Sequence, residues 1–183
     1  MKKLLQLKTS LIVASVMALP VAHAANITKA DYSAGKARIS ADYSTDKAAC
    51  AALKSNAKDV CIEEAKAKEK VAKAELEFAF TGKPADANKV LVAKASTAYA
   101  VAKERCDDQA GNAKDVCVKE AKAIEVKALA EAKMGKEITE ARKDAKADSR
   151  DADYKVAIEK CDAMAGDAKA SCVAAAKVKF GKS

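Results

Sequence analysis

Apolar positions in this chain recur every three, four or seven residues, the spacing that keeps side chains on one face of a helix. Tyr32, Ile39, Tyr43 and Cys50 form a single stripe and predict a first helix over about residues 28–53. ADYS at 30–33 returns at 41–44, an eleven-residue period close to three helical turns that favours straight packing. A second helix is expected over about 57–80, with Glu64→Lys68 and Glu69→Lys73 at the favourable four-residue spacing. Thr81-Gly82-Lys83-Pro84 ends it, because glycine supplies a left-handed cap and proline opens the next helix at its first turn.

The third helix is expected over about 84–110 on the stripe Val92, Ala95, Tyr99, Ala102 and Cys106. Gly111 then closes it and Asn112 caps a fourth, which continues through Cys117, Ala121, Ile124 and Ala128. Gly135 leaves two readings open: a lone glycine costs only about 1 kcal/mol in a helix, so one long rod and two packed pieces both fit. Residues 136–153 alternate charges densely and read as a solvated helix. Tyr154, Ala157 and Cys161 lead to Gly166-Asp167, and a short last helix carries Cys172, Ala176 and Phe180.

One module occurs three times, at 43–67, 99–123 and 154–178. Each copy places a tyrosine seven residues before a cysteine and a second cysteine eleven residues after the first. On one unbroken helix those cysteines would lie about 16 Å apart, whereas a disulfide needs Cα atoms within about 7 Å. Turn residues sit midway between them, so each module reads as a hairpin. The threefold repetition then selects Cys50–Cys61, Cys106–Cys117 and Cys161–Cys172. Copy one has Ser55-Asn56 where the others have Gly111-Asn112 and Gly166-Asp167. The spacing suits neither a thiolate metal site nor a C-x-x-C redox pair, and no cofactor is expected.

Residues 1–24 have the form of a cleaved secretion signal: Lys2, Lys3 and Lys8, an apolar run from Leu11 to Leu19, then Ala22-His23-Ala24. The run is too short to anchor in a bilayer. Its removal takes three lysines and no acid from a formal charge of +8, and takes the only histidine. Residues 25–183 then exclude a Ser/His/Asp or Cys/His nucleophile and any histidine-ligated metal, so no enzyme is expected. The positive excess is spread thinly, which disfavours nucleic acid as a partner. Lys169, Lys177, Lys179 and Lys182 form a one-sided tail that suits a helix C-terminus, with weak contact to an anionic surface as the alternative. Only 24 Leu, Ile, Val and Phe follow Ala24, so the core is thin, alanine-rich and dependent on its staples.

Tyr43, Tyr99 and Tyr154 occupy one place in the repeat; they are either a contact row for a ligand or packing beside the hairpins with their hydroxyls in water. Met164, Phe78 and Phe80 read as core filling. GNAKDVCVKEAKA, preceded by AKERCDDQA, resembles small exported proteobacterial proteins of the TolA-like cell-envelope group. The resemblance spans most of residues 25–183 and implies a periplasmic location and helical form. It carries over no functional residue. In size, charge and helicity the chain also resembles Spy-like periplasmic chaperones, without their LTxxQ motif.

The expectation is an all-α protein of three disulfide-pinned helical hairpins, with repeats at about 28–81, 84–134 and 137–181, packed as an elongated bundle or an open array. Periplasmic or secreted, it would be a structural or interaction protein serving envelope integrity or stress. Its partners would be envelope proteins or further copies of itself, and a chaperone-like holdase is the alternative.

Overall fold

The structure, a computed structural model, describes residues 26–182, so the expected leader lies outside the described residues. The fold is all-α: α1 (Lys29–Ala49), a 3-10 turn (Cys50–Ala52), α2 (Ser55–Thr81), α3 (Pro84–Cys106), α4 (Gly111–Asp162) and α5 (Gly166–Phe180). Thr28 starts α1 by accepting the Asp31 N–H at 3.1 Å, and its hydroxyl donates to the Asp31 carboxylate at 2.7 Å. Gly82, at φ +62°, ends α2 by donating its N–H to the Phe78 carbonyl at 2.8 Å, and Pro84 opens α3. At the other end, Lys177 and Lys179 occupy the last turn of α5, where the helix dipole favours cations.

The hairpin turns depart from the expected boundaries. α2 begins at Ser55 rather than Ala57, and α3 stops at Cys106, four residues early. Asn112 is not the cap of α4; Ala110 is, with no side-chain bond, and Gly111 stands as the first helical residue at φ +56°. The left-handed step itself reverses the chain, so no capping side chain is required.

Gly135 does not break its helix, and α4 runs unbroken for 52 residues, about 78 Å. The breaker Thr81-Gly82-Lys83-Pro84 of copy one aligns with Glu137-Ile138-Thr139-Glu140, which contains neither glycine nor proline. The repeat boundary expected near residues 134–137 therefore falls inside a helix. Residues 133–153 are exposed except for Ala147, as expected of a solvated helix.

Packing is serial. α1 lies on α2, α2 on α3, α3 on α4 and α4 on α5, and no other pair of helices packs together among the described residues. The three hairpins form an open array rather than a closed bundle. α3, between two neighbours, is buried on two faces: Ala95 and Cys106 on the expected stripe, and Val90, Ala93 and Thr97 on a second. Val92, placed on that stripe by its spacing, stays 39% exposed. On α4 the buried line is Ala121, Glu125 and Ala132, and Ile124 points away from it at 66% exposure. Phe80 does fill space, stacking on Tyr32 at 4.5 Å between ring centroids, but Phe78 and Met164 remain exposed because a single layer covers only part of each helix.

Candidate interaction surface

The three disulfides join Cys50–Cys61, Cys106–Cys117 and Cys161–Cys172, with Cα atoms 5.6, 5.7 and 5.6 Å apart. Cys50, Cys106 and Cys161 are the largest side chains wholly shielded from water among the described residues, so each staple is also the centre of its hairpin's core. A loop of this length contributes about 3 kcal/mol in the chain-entropy account. Disulfides of this kind persist where thiols are not kept reduced, which fits a chain that matures outside the cytoplasm. No described helix is long and apolar enough to cross a membrane.

Each tyrosine of the repeat is half-buried in its own hairpin, and the fold does not gather them into one patch: Tyr43 is on α1, Tyr99 on α3 and Tyr154 on the far half of α4. A lysine ammonium lies over every ring. Lys47 is 5.9 Å from the Tyr43 centroid, Lys122 is 4.8 Å from Tyr99, and Lys182 is 5.8 Å from Tyr154. Lys122 also donates to the buried Glu125 carboxylate at 2.6 Å. That bond, helped by Tyr99, holds its pKa above the ordinary lysine value. Phe180 meets Tyr154 edge-on at 6.0 Å. Beside Tyr43, a shallow groove between α1 and α2 is lined by Ile39, Asp46, Ala65 and Lys68.

Tertiary neighbours redirect the expected helical ion pairs. Glu69 and Lys73 do pair, at 2.6 Å. Glu64 instead takes Arg105 of α3 at 2.5 Å, and Lys68 reaches Asp46 of α1 at 3.1 Å, because each points between helices rather than along its own. Hairpin one joins hairpin two through further contacts: Asn56 Nδ2 donates to the Glu104 carbonyl at 2.9 Å, Lys94 pairs with Glu75 at 2.7 Å, and Thr81 Oγ1 donates to Asp86 at 2.6 Å. Asp86, buried in the first turn of α3, also holds Lys89 at 2.8 Å, and these two partners keep its pKa below the usual aspartate range. Between α2 and α3 runs a groove floored by Ala67, Val71, Ala98 and Val101 and edged by Lys68, Lys94, Glu64 and Arg105.

These inter-hairpin residues carried no pattern of their own in the sequence. Among the described residues no group of three or more His, Cys, Asp or Glu side chains is arranged to hold a metal. No protein-family model matches the chain, and neither a curated protein nor a solved structure does.

Proposed function

We propose that this chain is a non-enzymatic periplasmic protein that acts by binding other envelope proteins, in support of envelope integrity. One observation carries the reading: the serial array leaves a groove on the seam between α2 and α3, from Glu64 to Val71 and from Lys94 to Arg105, with an apolar floor and charged edges of both signs. That composition suits an amphipathic segment of a partner, whose apolar residues cover Ala98 and Val101 while its charges meet Lys94 and Glu64. Polar contacts across the seam, Glu64–Arg105, Glu75–Lys94 and Asn56–Glu104, hold its two walls in place, which lowers the ordering cost of binding.

The test is capture from an envelope extract by the oxidised protein, in parallel with an Ala98→Glu variant that places a charge on the exposed floor of the seam. One dominant protein, retained by the parent and lost by the variant, is expected. Retention of many unrelated, partly unfolded proteins by both would replace this reading with a holdase. An empty capture by both would overturn it.

A further inference from the structure

The repeat places on α4 the counterparts of both sides of the α2–α3 interface; Asn56–Glu104 and Glu64–Arg105 keep matching residues there, whereas Glu75–Lys94 and Thr81–Asp86 do not. Copies one and two of the repeat are 56 residues apart, copies two and three 55. Shifting α2 by 56 and α3 by 55 turns Asn56 and Glu104 into Asn112 and Glu159, which keeps the asparagine donor, the acceptor being a main-chain carbonyl. The pair Glu64–Arg105 becomes Glu120 and Lys160, again an acid facing a base. Between hairpins one and two these residues meet across a tight turn at Gly82. In the second instance both halves lie on the unbroken α4, with Asn112 and Glu159 about 70 Å apart along its axis. A single chain with α4 intact cannot bring them together.

The face concerned is open and apolar. Val116, Met134, Ile138 and Val156 are 45%, 56%, 44% and 54% exposed and lie on one helical stripe with Ala130 and Ala145 between them. α3 and α5 both seat on the other side of α4, the side that carries Ala121, Ala132 and Cys161. Nothing described covers the open stripe.

The shifted pairing also has a symmetry of its own. α2 and α3 run antiparallel, so the same register sets Glu120 against Lys160, Glu131 against Ser149 and Glu137 against Ala141, centred on residues 139–140, and Asn112 against Glu159, centred on residues 135–136. A helix that pairs antiparallel with its own sequence about its own midpoint describes a two-fold dimer, in which each contact forms twice. Lys127 falls level with Asp151 and Asp153 in this register, a further match of opposite charge. We propose that a second copy of this chain covers α4 in this way, hairpin three of each copy packing on hairpin two of the other as hairpin two packs on hairpin one. The dimer interface is distinct from the α2–α3 seam, so either proposal stands if the other fails.

Sedimentation equilibrium of the disulfide-intact protein tests it. A mass of two chains is expected, and Met134→Glu with Ile138→Glu, which puts four carboxylates at the two-fold centre, should weaken association at least about 100-fold while leaving helicity unchanged. Val178 is 84% exposed on α5, which seats on the opposite side of α4, and Val178→Glu should keep the two-chain mass. A one-chain mass for the parent in the micromolar range would overturn the proposal. So would a dimer indifferent to Met134→Glu with Ile138→Glu, or equally sensitive to Val178→Glu.

Discussion

Ser55 and Gly111 hold the same left-handed backbone, at φ +50° and +56°, each five residues after the first cysteine of its hairpin. Gly166 repeats it at +55° in the third. The turn therefore demands a conformation, not a residue type, and hairpin one meets that demand with a serine whose Cβ crowds its own carbonyl at a cost of about 1–2 kcal/mol. Ser55→Gly should stabilise the protein by about 1 kcal/mol, and Gly111→Ala should destabilise it by about the same amount. A Cβ at Gly111 meets nothing within 4 Å, so backbone strain alone sets the second value. Urea unfolding followed by helical circular dichroism reads both; an unmoved midpoint for Ser55→Gly would contradict the shared-turn account.

Gly135 makes the opposite case. It lies inside α4 without left-handed geometry, and a Cβ there also meets nothing within 4 Å. Gly135→Ala should therefore stabilise by about 1 kcal/mol, the ordinary difference in helix propensity. The same unfolding experiment checks it, and a loss of stability would mean that α4 bends at this residue in solution.

The staples should matter more than any single turn. Replacing Cys50 and Cys61 together with alanine should cost about 3 kcal/mol from the released loop alone. Cys50 is fully buried, so a small packing loss adds to that. Denaturation midpoints of the double variant against the oxidised parent measure this, and a loss below about 1 kcal/mol would show that the hairpin holds without its bridge.

Asp86 supplies a pH dependence whose sign is fixed by its partners. Lys89 and Thr81 depress its pKa in the folded chain, while in the unfolded chain it returns to about 3.9. Its contribution is therefore present above about pH 4 and is lost as pH falls through the lower, folded value. Asp86→Asn should reduce stability at neutral pH and flatten the acid limb of a stability profile. An acid limb unchanged in the variant would assign that limb to other carboxylates.

Much of the fold was legible along the chain. Repeated spacing of Tyr43, Tyr99 and Tyr154 ahead of paired cysteines marked three hairpins and their bridges, because a helix separates residues eleven apart too widely for a disulfide. Gly82 and Pro84 marked the α2–α3 boundary through local backbone chemistry alone. The left-handed Ser55 was not legible, since serine carries no preference for that conformation.

By itself, then, the sequence determined the helices, the staples and the thinness of the core, all of which follow from contacts a few residues apart. Only the tertiary structure decided that α4 is one rod, that the hairpins lie in an open row, and which face each helix turns outward. Ile124 was grouped with Cys117 and Ala121 by spacing, yet α3 covers the line through Ala121, Glu125 and Ala132 and leaves Ile124 in water. Alanine-rich helices offer nearly equivalent faces, so apolar periodicity alone separates them poorly, and the choice falls to whichever neighbour the turns deliver.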